Sequence, residues 1–146
     1  MAYLTLALDE IDMNSAYLAR PTPNTVLQSG EFRRVYYSNS ILTLSGIYLL
    51  MNCKLTRDTN ERSSMCYAVN CDKVWLPTIK CLETNLLNQI AHCKAKPRLH
   101  ENLSGGLLKF SERPPFKDVG KIIVKISGVW TKEGECGLTY KLMPAC

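Results

Sequence analysis

Two sets of side chains in this chain have types and spacings that bear on chemistry. The first is cationic and aromatic. Arg33 and Arg34 adjoin Tyr36 and Tyr37, Arg57 and Arg62 fall in a polar run, and Lys73 precedes Trp75 by two positions. Lys121, Lys125, Lys132 and Lys141 surround Trp130. Binding of a single-stranded polyanion with planar bases needs both kinds of group: cations for the phosphates and rings on which bases stack, each stack worth about 1–3 kcal/mol. The second set is Cys66, Cys71, Cys81, His92, Cys93 and His100, which contain zinc-ligand types. Their spacing matches no tight knuckle, and free cysteine is a common small core residue, so no metal or other cofactor is expected. Cys93 or Cys136 with a histidine is the only material for a thiol hydrolase. No nucleophile elbow, cysteine-protease signature, phosphate-cradling glycine loop or carboxylate pair accompanies it, and the chain is read as a non-enzyme.

Composition bounds these readings. The 146 residues, 46% hydrophobic and 21% charged, suit one globular domain with a real core. The 18 Lys and Arg against 13 Asp and Glu leave a formal charge of +5, a mild basic bias compatible with a polyanionic partner. The long uncharged run 36–53 is interrupted by Ser38, Asn39, Ser40, Thr43, Ser45 and Asn52, which argues for buried strands and against a membrane span. The apolar start carries no Lys or Arg before it and is followed by Asp9 and Glu10, the wrong charge order for a secretory signal. The seven cysteines are therefore expected as reduced thiols of an intracellular protein, nuclear or cytoplasmic.

The elements that must position the cations and rings are mostly strands. In 120–130, Ile122, Val124 and Ile126 alternate with Lys121, Ile123, Lys125 and Ser127; in 137–143, Leu138, Tyr140 and Leu142 alternate with Thr139 and Lys141. Gly134 lies in the turn between them, so the two runs are expected to form a hairpin with an apolar inner face and a lysine-bearing outer one. Phe32-Arg-Arg-Val-Tyr-Tyr37 reads as a strand, and the run 41–55 as a long strand bent or bulged at Gly46. Met65-Cys-Tyr-Ala-Val-Asn70 follows as a second strand and Lys73-Val-Trp-Leu-Pro77 as a third, stopped by proline. Ile79, Leu82, Leu86, Leu87 and Ile90 form the stripe of a helix capped by Thr78, with Pro77 just outside. Residues 94–118 read as an insertion of two loops, 94–106 and 111–118, with Leu107-Leu-Lys-Phe110 between them as a short strand or a helix turn. Residues 1–30 read as an N-terminal extension ending in a proline-rich linker, Arg20-Pro-Thr-Pro-Asn24, so that a domain is expected at 31–146.

Strand, strand, strand, helix, strand, strand is an order that resembles the OB-fold. The likeness is carried by 48–56, 65–69, Lys73-Val-Trp-Leu-Pro77, the helix from Thr78 and 122–142. The expected fold is thus mainly β (β+α): a five-stranded Greek-key barrel with one helix between strands 3 and 4. An aromatic-Leu-Pro step before the helix and a Lys-Ile-Ser-Gly strand after it look like the small single-stranded-DNA-binding proteins of DNA viruses and related transposons. That resemblance implies DNA replication, single-stranded DNA or RNA as ligand, a homo-oligomer or replication proteins as partners, and no membrane. The residues expected at the nucleic acid are Arg33, Arg34, Tyr37, Arg57, Arg62, Lys73, Trp75, Lys121, Lys125, Trp130, Lys132 and Lys141, with Trp75 the foremost stacking ring. Tyr140 is assigned to the core. A lysine row on a barrel strand reads equally well as a phosphate track or a solvated face, and the alternative function is a protein-interaction domain using 1–30 and 94–118 as contact surfaces.

Overall fold

The computed structural model describes residues 5–7, 11–23, 30–56, 66–71, 75–90, 93–105, 107–109 and 119–144. In chain order the strands and helices are β1 (Leu6–Ala7), β2 (Ala16–Leu18) after a single 3-10 turn at Met13–Ser15, β3 (Thr22–Pro23), β4 (Glu31–Ser38), β5 (Thr43–Ser45), β6 (Ile47–Thr56), β7 (Cys66–Cys71), α1 (Leu76–Asn88), β8 (Lys94–Lys96), α2 (Arg98–Gly105), β9 (Leu107–Lys109), β10 (Val119–Lys132) and β11 (Glu135–Pro144).

The spine is β10, whose dense Ile and Val content favours extended backbone. One edge pairs with β11, from Ile122↔Pro144 to Lys132↔Glu135. The other edge is shared: the first half takes β6, from Val119↔Lys54 to Ile126↔Ile47, and the second half takes β4, from Gly128↔Arg34 to Thr131↔Glu31. Because β4 reaches β6 through β5 and both lean on one edge of β10, the sheet must curl. Gly46 makes the corner: its φ of 87° is open to glycine, and its N–H donates to the Val35 carbonyl at 2.8 Å. The result is a mainly β structure, a curled half-barrel sheet carrying two helices.

A bulge between Ile126 and Gly128 decides which side chains face inward. Ile122, Val124 and Ile126 are buried before it, Val129 and Thr131 after it. Strict alternation would have sent Val129 outward; the extra residue, Ser127, returns it to the core. The expected inner face of the hairpin is present, with Leu138 and Leu142 buried and Tyr140 packed against the cluster. Each fully buried aliphatic side chain there contributes about 1.5–3 kcal/mol.

Helix α1 closes the concave side with the expected stripe, Ile79, Leu82, Leu86 and Leu87, continued past its C-cap by Ile90, all buried. Its start differs from expectation. Trp75 occupies the N-cap with no side-chain cap bond, and Leu76-Pro77 already belong to the helix, with proline in the first turn. A first-turn proline forfeits no hydrogen bond and brings its φ pre-set, so Pro77 begins the helix instead of stopping a strand. The expected third strand is therefore absent at 75–77, and Thr78 is not the cap.

The insertion 94–118 is more structured than expected: 94–106, expected as a loop, contains β8 and α2, whereas β9 falls where a short strand or helix turn was expected at 107–110; 106 and 110–118 lie outside the described residues. Helix α2 buries Leu99 and Leu103. Its N-terminus is held by Glu83 of α1, whose carboxylate accepts the Leu99 N–H at 3.0 Å and the His100 N–H at 3.1 Å. Five strands and one helix are thus too few: short strands extend the sheet in the order β2-β4-β10-β6-β7-β9, and β8 adds to β11. Main-chain pairing also crosses the expected boundary at residue 30. Strand β2 pairs with β4 as Ala16↔Tyr37 to Leu18↔Val35, and Thr22 and Pro23, expected in a linker, pair with Phe32 and Glu31. The Gln89 side chain clamps β2 from α1, donating to the Ala16 carbonyl at 3.1 Å and accepting the Leu18 N–H at 3.2 Å. Among the described residues no helix is long and apolar enough to cross a membrane.

Candidate functional site

On the outer, convex face of the sheet, cross-strand register sets the neighbours. Over the first half of β10, Tyr48, Lys125 and Lys141 stand side by side on β6, β10 and β11. The Lys125 ammonium lies over the Tyr48 ring, 5.7 Å from its centre. The next row, Leu50, Ile123 and Met143, is apolar, and Ile123 and Met143 are buried. Ile123 therefore departs from the expected solvated face. Beyond it, Lys121 and Asn52 pair and are both exposed.

The second half of β10 is built differently. Phe32, Trp130 and Gly137 form one row across β4, β10 and β11; Arg34, Gly128 and Thr139 form the next. The rings lie over the glycines. A Cβ added at Gly128 would meet Phe32 Cζ at 2.5 Å and Cε1 at 2.8 Å, and one at Gly137 would meet the Trp130 indole at 2.8–2.9 Å. Real Cβ atoms do not approach so closely, so both glycines are required by the rings above them. Phe32 and Trp130 are consequently held against the sheet and remain half-exposed. Arg34 is exposed beside them, its Nη1 donating to Ser45 Oγ at 3.5 Å, and Lys132 follows Trp130 on the same face opposite Glu135. Glu135 is engaged by Lys96 at 3.6 Å. Farther along β4, Tyr36 stacks with Tyr17 of β2, centres 5.7 Å apart and planes 23° apart, and Tyr17 is 46% exposed.

Of the expected site residues, Arg34, Lys121, Lys125, Trp130, Lys132 and Lys141 share this outer face. Three are placed elsewhere. Arg33 alternates inward with Val35 and Tyr37; its Nη1 is sealed from solvent and has no hydrogen-bond partner among the described residues. Tyr37 is a core residue at 3% exposure, its hydroxyl accepting the Asp12 N–H at 2.9 Å. Trp75, expected as the foremost stacking ring, is half-buried at the start of α1 and packs against the core. Arg57, Arg62 and Lys73 lie outside the described residues. The rings that sequence reasoning passed over are Phe32, Tyr17 and Tyr48, and Tyr36 was grouped with Tyr37 without being assigned to the nucleic acid. The signal for Phe32 and Tyr36 was the alternation of β4, which places Phe32, Arg34 and Tyr36 opposite Arg33, Val35 and Tyr37.

Burial shifts three acids. It raises Glu83 above its ordinary 4.5 despite the two backbone donors that favour the carboxylate. It raises Tyr140, whose hydroxyl meets the Asn102 amide, and it raises Cys136, with neighbouring Cys93 adding to the effect and Arg33 opposing it. Among the described residues no three His, Cys, Asp or Glu side chains gather in a way that would hold a metal ion. What the outer face offers is a positive surface carrying flat rings, suited to a polyanion with planar groups. Compared with protein-family models, with curated proteins and with solved structures, the chain matches none.

Proposed function

We propose that the outer face of the curled sheet binds single-stranded nucleic acid without catalysing a reaction on it. The observation that carries the reading is the pair of rings, Phe32 and Trp130, floored by Gly128 and Gly137 and flanked by Arg34 and Lys132. A ring held flat on a sheet with one side open takes an unpaired base, whose faces a duplex hides. The lysines of the first half of β10 carry the phosphates. An OB-like barrel is the architecture this function would use, and the curl of β4 and β6 around one edge of β10 supports it. The resemblance to viral and transposon proteins puts the ligand as DNA under replication.

The test is a titration of labelled oligothymidine at several salt concentrations, read by tryptophan fluorescence in a Trp75→Phe background so that Trp130 reports alone. Quenching is expected, with log affinity falling by about 0.7 per phosphate contact for each tenfold rise in salt. Affinity that is undetectable at low salt, or indifferent to salt, ends the reading. A protein-contact role draws on one observation, Ile41 at 87% exposure in the turn between β4 and β5. A single exposed apolar side chain is ordinary on a monomer, so it is the weaker case.

A further inference from the structure

Strand β4 carries a second aromatic surface beyond Arg34. Phe32, Arg34 and Tyr36 share the outer side of the strand by alternation. Tyr36 is paired with Tyr17 of β2, and the two rings are stacked, centres 5.7 Å apart and planes 23° apart. A cross-strand aromatic pair can serve to fasten an edge strand. Here β2 is also fastened by other bonds: the Gln89 side chain holds the Ala16 carbonyl and the Leu18 N–H, and the Asp12 N–H donates to the Tyr37 hydroxyl at 2.9 Å. Tyr17 is nevertheless 46% exposed, which presents the area of a flat ring to solvent. The ground between this pair and the Phe32–Trp130 pair is low and cationic. Arg34 has Gly128 of β10 opposite it on one side and Ala19 on the other, whose N–H donates to the Arg34 carbonyl at 2.8 Å. Both neighbours are too small to cover the guanidinium, which is exposed and directs Nη1 to Ser45 Oγ at 3.5 Å. A guanidinium carries five donors in a fork that matches a phosphate, so more than one bond is open to it.

Resting on the reading of the outer face as a single-strand surface, we propose that Tyr17 and Tyr36 form a second base-stacking subsite for single-stranded DNA, separate from Phe32 and Trp130, with Arg34 holding the backbone phosphate between the two. Four residues of extended chain set the Phe32 and Tyr36 positions about 13 Å apart. Bases stacked along one strand of a duplex rise about 3.4 Å per nucleotide, so bases seated on the two subsites are not stacking neighbours, and the backbone joining them crosses Arg34. The DNA thus follows β4, and β2, which belongs to the N-terminal extension, supplies part of the surface. Every base has a flat face, so this tract selects an unpaired strand and not a base sequence.

The experiment titrates the full chain with dodecathymidine at low and moderate salt, followed by Trp130 fluorescence in the Trp75→Phe background, and compares Tyr17→Leu and Tyr17→Phe. Leucine keeps apolar bulk on the edge strand but not the flat ring; phenylalanine keeps the ring. Tyr17→Leu is expected to weaken binding about tenfold with the salt slope unchanged, and Tyr17→Phe to bind as the parent does. Arg34→Gln is expected to lower the salt slope by about 0.7. A second measurement leaves the protein unaltered: the complex with bromodeoxyuridine-substituted dodecathymidine is irradiated and its adducts are mapped by mass spectrometry. Adducts are expected on Tyr17 or Tyr36 as well as on Phe32 or Trp130. Parent affinity in Tyr17→Leu with Trp130 still quenched overturns the second subsite and leaves the reading of the outer face standing. Adducts that reach Trp130 but neither tyrosine do the same. Absence of any salt-sensitive quenching of Trp130 overturns both.

Discussion

The two halves of β10 present different outer surfaces from one continuous strand. Against β6 the face is a lysine row, Lys121 and Lys125 with Lys141, interrupted by the buried pair Ile123 and Met143; the ring there, Tyr48, already lies under the Lys125 ammonium. Against β4 the face is Phe32 and Trp130 over glycines, with one cation on either side. The first half presents charge and the second presents flat rings. What separates them is the bulge at Ser127 and the exchange of partner strand that accompanies it.

The sharpest way to break that division is to fill the floor. Gly128→Ala drives a methyl group into the Arg33 carbonyl and the Phe32 ring, and a backbone oxygen cannot swing aside. A loss of about 3 kcal/mol or more is expected in guanidinium denaturation. Gly134→Ala is the control. Its Cβ meets nothing within 4 Å, and only the φ of 78° opposes it, at a cost of about 1 kcal/mol. Equal losses at the two positions would mean that the rings do not rest where described.

Next in size is Trp130→Ala, expected to weaken oligothymidine binding by about 1–3 kcal/mol while the thermal unfolding midpoint moves little. Lys125→Ala should weaken binding by less, within about 1 kcal/mol, and lower the salt slope by about 0.7. The reverse pattern, in which the tryptophan changes the salt slope and the lysine does not, would collapse the distinction between the halves.

The smallest expected effect lies away from both halves. The folded protein holds the Glu83 proton more tightly than the unfolded chain, because burial raises the group above 4.5. The corresponding stability is fully present below the unfolded value and is lost as pH rises through the folded one, which lies above 4.5. Urea midpoints should fall as pH rises through that value in the wild type and stay level in Glu83→Gln. Because Glu83 anchors α2 on the opposite side of the sheet, oligothymidine affinity at fixed salt should not follow this titration.

Local pattern carried a good part of this fold. Period-2 alternation in 120–126 and 138–142, the stripe from Ile79 to Ile90 and the glycine at the Gly46 corner are short-range statements, and each side chain's own spacing suffices to make them. The same alternation held the answer for β4, where neighbouring Arg33 and Arg34 must face opposite ways, although proximity in sequence invites grouping them. What local pattern did not contain was the frame shift at Ser127, since a bulge is decided by what pairs across the strand. Nor did it contain the entry of Pro77 into α1, where strand-stop and first-turn chemistry look alike. It also did not contain α2, whose N-terminus is satisfied by Glu83 from another helix.

The sequence by itself determined that this chain folds as strands around a hairpin with an apolar side and a lysine side. Those properties follow from side-chain spacing and from the cost of leaving apolar surface in water. Only the tertiary structure decided which rings lie open beside which cations, because that depends on register between strands distant in sequence and on two glycines whose missing side chains matter only once a ring from the neighbouring strand lies over them.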